Sequence, residues 1–278
     1  MLAHLRLDSA EREKDGVMDL GIKGKTALVL GAGGGLGGAV ARALAAEGVN
    51  LALGDISEAA VNATAETVRK AGVKALPLVW DLGDLSLIPK HISSIESALA
   101  PVDILVSITG GPPPTPAAGQ DPAVWSKHFQ SMILSVIAIT DAVLPGMRAR
   151  KWGRVITSTS SGVIVPIANL GISNTLRSAL VGWSKSVARE AAKDNVTLNV
   201  VAPGRVATAR IAFLDDSRAK REGKAVQSVE DESIATIPAG RYGKPEEFGA
   251  VVTFLASEQA SYLTGSTIRI DGGMIPNV

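Results

Sequence analysis

The 278-residue chain contains no cysteine, so it can form no disulfide, bind no metal through thiolates and use no cysteine nucleophile. Aromatic residues make up only 4%, and the two tyrosines, Tyr242 and Tyr262, are the only phenols available for acid–base work. Histidine is equally sparse: His4, His91 and His128 show no HxxxH or carboxylate spacing of the kind that marks a metal site, and no metal is expected. Charge of one sign is also missing, the formal net charge being +1 with no long like-charge run. That gives no reason to expect nucleic acid or an anionic membrane as partner. No uninterrupted apolar run stands out as membrane-spanning. The N-terminus mixes acids and bases where a signal peptide needs an apolar stretch. A soluble, cytoplasmic protein is the expectation, with residues 1–20 as a flexible extension ahead of one domain over 21–278.

What the chain does have is alternation. Short β-branched or leucine-rich runs at 26–30, 51–55, 75–81, 103–109, 153–160, 196–204 and 266–273 are separated by helical periodicity at 36–47, 57–71, 85–99, 122–149, 174–193 and 245–257. Parallel strands joined by crossover helices give this pattern. Most of the strands read apolar along their length rather than alternating, as expected when helices cover both faces of a sheet. Seven strands and six helices fit one doubly wound α/β domain, a three-layer Rossmann-type sandwich. The proline-rich segment 110–122, GGPPPTPAAGQDP, cannot be helical and is expected as a stiff loop at the carboxyl end of the fourth strand, where such sheets bind ligands. A second insertion over about 208–240 is expected to be a partly helical lid.

The strand TALVL runs straight into GAGGGLG and then into a helix. Glycines at such a turn let the backbone approach a pyrophosphate, while the helix amino terminus offers unpaired N–H groups. Gly33, Gly35 and Gly38 fit GxGxxG literally. Gly31, Gly35 and Gly37 fit GxxxGxG and are preferred, because the turn should begin where the strand ends; Leu36 lies among them. Asp55 ends the second strand, placed to accept hydrogen bonds from adenosine ribose hydroxyls or to cap the helix after it. No Arg or Lys stands in the glycine loop or directly after Asp55 to take a 2′-phosphate, so NAD(H) is expected in preference to NADP(H). Asp81, with Leu82 beside it, is placed to meet the adenine or to serve as a turn residue.

Together GAGGGLG (31–37), Asp55, Asp81, DILVSITGG (103–111), GRVITSTSSG (153–162), NVVAPGRVAT (199–208), GRYGKPEE (240–247) and YLTGSTIRIDGG (262–273) resemble the short-chain dehydrogenase/reductase family. The likeness extends to its 3-oxoacyl-carrier-protein-reductase-like members and covers residues 22–275. The resemblance implies a sheet ordered 3-2-1-4-5-6-7, a nicotinamide cofactor and usually a tetramer, here paired through helices 122–149 and 174–193. It places Pro203, Gly204 and Thr208 at the nicotinamide end. It also implies a catalytic serine, which Ser160 matches, and a tyrosine and lysine spaced YxxxK. Here those two positions hold Ser173 and Arg177, the asparagine position holds Met132, and no YxxxK exists anywhere in the chain.

Serine is a far poorer acid than tyrosine, and arginine stays charged, so the family's proton route is altered. Arg177 is expected to hold the nicotinamide ribose or to grip an anion, with Arg205 joining it and Gly111 nearby. Three functions stay open: an NAD-dependent oxidoreductase of a small carbonyl or alcohol with an atypical relay, a lyase or isomerase on the same scaffold, and a catalytically silent dinucleotide-binding protein.

Overall fold

The computed structural model describes residues 18–277; the expected extension over residues 1–20 falls almost wholly outside them. Seven strands form one parallel sheet in the order β3-β2-β1-β4-β5-β6-β7. They are β1 (Thr26–Leu30), β2 (Asn50–Asp55), β3 (Ala75–Val79), β4 (Ile104–Ser107), β5 (Gly153–Ser158), β6 (Val196–Pro203) and β7 (Thr267–Ile270). Every residue of β1, β4, β5 and β6 is buried, which is why these strands are apolar without alternation.

Helices α1 (Gly35–Ala46), α2 (Glu58–Arg69), α3 (Ile88–Ala98), α4 (Pro122–Phe129), α5 (Ser135–Ala149), α6 (Gly171–Ala191) and α9 (Pro245–Leu255) cover the sheet, and α7 (Ala209–Glu222) and α8 (Val226–Ala235) lie in the expected lid segment. One core layer packs Val40 and Leu44 of α1 and Phe248 and Val252 of α9 on Val29, Ile104 and Val201. The other packs Ile92 and Ile95 of α3, Ile139 and Met147 of α5 and Ala188 of α6 on Leu28, Leu105 and Leu198. A third cluster, Met132, Ile133 and Val136 with Ile172, Leu176 and Leu180, clamps α6 to the helix before it.

Helices α4 and α5 form one rod, Pro122–Ala149, whose middle, Gln130–Leu134, widens into a π-helical turn. By length and composition this rod is apolar enough to cross a bilayer, although polar residues interrupt its apolar run. Its apolar residues Ile133, Val136, Ile139 and Val143 pack on the protein core.

The order of strands reverses between β1 and β4, and connections leave to opposite sides there. A crevice outside the carboxyl ends of those two strands follows from this topology. Strand ends agree with the sequence-based ranges except where polar residues cut them short: β3 stops at Val79 and the chain turns at Asp81, whose Oδ1 accepts from Gly83 N–H at 2.8 Å.

Candidate functional site

The crevice is a cleft of about 680 Å³. All the site residues expected from sequence line it except Arg205. The glycine turn forms its floor. Gly31 has φ +70°, and a side chain there would strike the Ile108 carbonyl; one on Gly37 would strike the Gly31 carbonyl. Gly35 also sits at positive φ. These three positions thus require glycine for the turn itself, whereas a Cβ on Gly38 would meet only the flexible end of Arg42. The GxxxGxG spacing is the one the backbone uses.

Gly34 differs from its neighbours, since a side chain on it would touch no protein atom. Its bareness therefore serves no packing and leaves open space above the start of α1. That helix has no side-chain cap and no acidic residue in its first turn. Its free N–H groups and positive dipole end fit a pyrophosphate. Thr208 closes over the turn from across the cleft, its methyl 3.4 Å from where a Gly35 side chain would lie. Gly204, packed on Asp271, lets the chain pass close to β7.

At the far end Asp55 is held in place by backbone: Oδ2 accepts from Gly33 N–H at 2.8 Å and Oδ1 from Ser57 N–H at 2.9 Å. Asp81 and Leu82 line the same end.

The residues expected at the catalytic positions lie where β4, β5 and α6 converge. Ser160 follows β5, and its Oγ accepts from Gly162 N–H at 3.1 Å. Ser173 and Arg177 sit one turn apart on α6, both nearly inaccessible at 7% and 8% exposure. The Arg177 guanidinium spends all its donors on the protein. Nε donates to Ser173 Oγ (3.3 Å), Nη1 to Thr109 Oγ1 and the Ser158 carbonyl (3.3 Å each), and Nη2 to the carbonyls of Thr109 (3.2 Å) and Gly110 (2.9 Å). An arginine has five N–H groups. In this arrangement none is left for a ribose hydroxyl or a substrate anion. Burial, and then the neighbouring Arg210 cation, push Arg177 down to about 10, so it still carries its charge at neutral pH.

Because Nε donates to Ser173 Oγ, the serine's own proton is free to point into the cleft. Met132, expected at the asparagine position, is 2% exposed and lies within the π-helical turn, an irregularity common at functional sites. His128 also lines the cleft, its imidazole held below the ordinary histidine range by burial and by Lys127. The proline-rich loop is tied to the start of α6 by Thr115 N–H to Asn169 O (2.7 Å) and Gly171 N–H to Thr115 O (3.0 Å).

Arg205 does not join Arg177. Its guanidinium turns away to Asp215 Oδ1 (2.5 Å) and Tyr242 Oη (3.4 Å), and Tyr242 donates to Asp215 Oδ2 at 2.8 Å. With Asp215 1% exposed, the triad is a buried latch holding α7 to the body of the protein. The cleft's second arginine is Arg210, in the first turn of α7, which sequence reasoning missed. Its only signal was its place two residues past Thr208 at a helix start.

A glycine-cradled helix terminus at the switch point of a seven-stranded parallel sheet, with hydroxyls at the adjoining strand end, defines a dinucleotide-dependent oxidoreductase scaffold. The profile described as enoyl-(acyl carrier protein) reductase matches residues 31–275. The 3-oxoacyl-[acyl-carrier-protein] reductase of Salmonella typhimurium is 33% identical over 257 residues, 92% of this chain and 99% of that protein. Two solved structures superpose closely. YwfH, an NADPH-dependent reductase involved in bacilysin biosynthesis, gives a TM-score of 0.87 at 27% identity, over 91% of this chain and 99% of that one. L-sorbose reductase from Gluconobacter frateurii, complexed with NADPH and L-sorbose, gives 0.88 at 28% identity, over 94% and 100%. The chain belongs to the short-chain dehydrogenase/reductase family.

These neighbours correct the expected preference for NAD(H): both are NADPH proteins, and they point to NADP(H). The expectation leaned on Asp55 as a ribose ligand that repels a 2′-phosphate. Its two oxygens instead organise the turns at Gly33 and Ser57, so its presence is accounted for without a ribose.

Proposed function

We propose that the protein is an NADP(H)-dependent reductase of a small carbonyl compound in which a serine pair replaces the family's tyrosine. The carrying observation is the contact from Arg177 Nε to Ser173 Oγ, which occupies one lone pair of the serine hydroxyl and leaves its proton available. With that lone pair occupied, Ser173 donates its proton toward the cleft, and the cationic donor strengthens that outgoing bond. Ser160 supplies the second hydroxyl, so the two hold a carbonyl oxygen as charge builds on it.

The dinucleotide supplies the hydride when bound. Gly31, Gly34, Gly35 and the amino terminus of α1 hold its pyrophosphate, and Pro203, Gly204 and Thr208 flank its nicotinamide. Neither serine gives up its proton at ordinary pH, so the proton that completes the alcohol comes from water hydrogen-bonded to the pair. The reaction then suits carbonyls that are already electron-poor and need little acid assistance. A homotetramer or dimer formed through α4, α5 and α6 belongs to the same reading.

The test is NADPH oxidation across ketones, quinones, keto acids and β-ketoacyl thioesters, with Ser160→Ala in parallel. Turnover in the wild type that falls about a hundredfold in Ser160→Ala, the scale of a lost oxyanion donor, supports the reading. Tight NADPH binding with no turnover on any class overturns it in favour of a silent binding protein.

A further inference from the structure

Cations crowd one end of the cleft and no carboxylate answers them. Among the described residues lining it, the only acids are Asp55, which ends β2, and Asp81, after β3, both at the opposite end. At the Ser173 end stand Arg177 and Arg210, and Gly111 marks where they converge. A methyl group built on Gly111 would lie 3.1 Å from Arg210 Nη2 and 3.6 Å from Arg177 Nη2. A residue without a side chain leaves room there for both guanidinium groups.

The two arginines differ in what they have left to give. Arg177 is saturated by protein acceptors, whereas Arg210 makes a single hydrogen bond, Nη2 to the Pro112 carbonyl at 2.7 Å. It forms no ion pair among the described residues, and its remaining contact is with the Phe213 ring, 5.6 Å from the centroid. Its Nε and Nη1 donors are therefore free, on a side chain that is only partly accessible. A half-buried cation facing a second, fully buried cation without a counter-ion is a costly arrangement, and an anion between them relieves it. The shift at Arg210 has the same origin: desolvation lowers its pKa.

Building on the reductase reading, we infer that Arg210 is the anchor for an anionic group of the substrate, a carboxylate carried by the same molecule whose carbonyl meets Ser160 and Ser173. Its planar fork suits two carboxylate oxygens, with Arg177 adding charge from behind. The substrate class is then a keto acid, or the corresponding hydroxy acid in the reverse direction. Specificity arises from the first turn of α7, so the lid segment supplies the group that selects the substrate. The anchor also offsets the weak acid machinery, since a fixed carboxylate holds the carbonyl at the serine pair.

Anionic oxygens could also come from the cofactor's own phosphates, and the experiment separates the two sources. The binding of 4-oxopentanoate, malonate and succinate is titrated calorimetrically with and without saturating NADP⁺, in the wild type, Arg210→Ala and Arg210→Lys. The expected result is binding that persists in the NADP⁺ complex, weakens tenfold or more in Arg210→Ala and recovers in part in Arg210→Lys. In turnover, 4-oxopentanoate is compared with its methyl ester, which keeps the carbonyl and loses the charge. The preference for acid over ester should fall at least tenfold in Arg210→Ala. Displacement of the anions by NADP⁺ would assign Arg210 to the cofactor and overturn the inference, as would anion binding no better in the wild type than in Arg210→Ala. Ternary binding with no NADPH oxidation on 4-oxopentanoate or on electron-poor 2-oxo acids would sink the reductase reading and leave the anion anchor standing.

Discussion

At the scale of single residues, Arg177, expected at the family's lysine position, spends its guanidinium on the protein's own backbone and hydroxyls. Its fork joins the ends of β4 and β5 through the carbonyls of Thr109, Gly110 and Ser158. A lysine offers three donors from one nitrogen and cannot span them all. Arg177→Ala should leave buried carbonyls unpaired and cost about 3 kcal/mol, read as a fall in thermal midpoint; an unchanged midpoint would mean that water replaces the fork at no cost. The double change Ser173→Tyr with Arg177→Lys should raise carbonyl reduction above wild type, since it restores a phenol beside an ammonium. No gain would place the obstacle at Met132, whose buried thioether stands where the family has an amide. That Ser160, Ser173 and Arg177 would line one cleft was legible in the sequence, since the family resemblance placed them together and the structure brings them to the same pocket. What Arg177 bonds to was not, because its partners come from Thr109, Gly110 and Ser158, far away in the chain. Arg205 misled for the same reason: its neighbour in sequence is the nicotinamide-end turn, but its neighbour in space is Asp215.

At the scale of elements, the segment expected as a partly helical lid is a pair of helices fastened by charge. Arg218 of α7 donates to Glu222 at 2.8 Å and to Glu232 of α8 at 2.5 Å, and Lys224 between the helices reaches Glu232 at 2.6 Å. These bonds hold both glutamates below the usual carboxylate range. Glu222 is lowered to about 2, chiefly by Arg218, and Glu232 is lowered chiefly by Lys224. A carboxylate with a depressed folded-state pKa adds stability that is present above its unfolded value and lost as pH falls through the folded one. The fastening should therefore be intact at neutral pH and fail on acidification from the ordinary glutamate range toward about 2. Hydrogen exchange, corrected for intrinsic rates, should show residues 209–235 losing protection at acid pH before the strands do. Simultaneous loss in lid and sheet would show that the ion pairs are not what fastens it. Exposed pairs of this kind also weaken with salt, so raising ionic strength at neutral pH should act in the same direction. The Arg205–Asp215–Tyr242 latch, with Asp215 buried, is less screened by salt and keeps α7 in place beside the cleft.

At the scale of the whole molecule, the middle of the sheet was legible because β1, β4, β5 and β6 are buried on both faces, and because the chain must cross over between parallel neighbours; the outer strands β3 and β7 are partly exposed. The order of the strands came with the family resemblance; periodicity alone does not rank them. The same burial logic bears on assembly. The rod Pro122–Ala149 presents Val124, Phe129 and Leu134 to solvent in the single chain. Beside it the outer face of α6 is built from Thr175, Ser178, Ala179, Gly182 and Ser186, all exposed, with open space where a Gly182 side chain would be. Small residues let a facing helix approach closely, and the large apolar ones beside them gain most from being covered. A second copy of the chain meets both demands through an isologous pairing of these helices. Sedimentation velocity should accordingly find a dimer or tetramer, and Gly182→Arg should shift it toward monomer with the far-ultraviolet circular dichroism unchanged, because the position is exposed and helical. A wild-type monomer at the concentrations used for assay would remove the pairing. Since Ser173 and Arg177 lie on the inner face of the same helix, a split by Gly182→Arg should also loosen the start of α6, and the kcat for carbonyl reduction is where that coupling would appear.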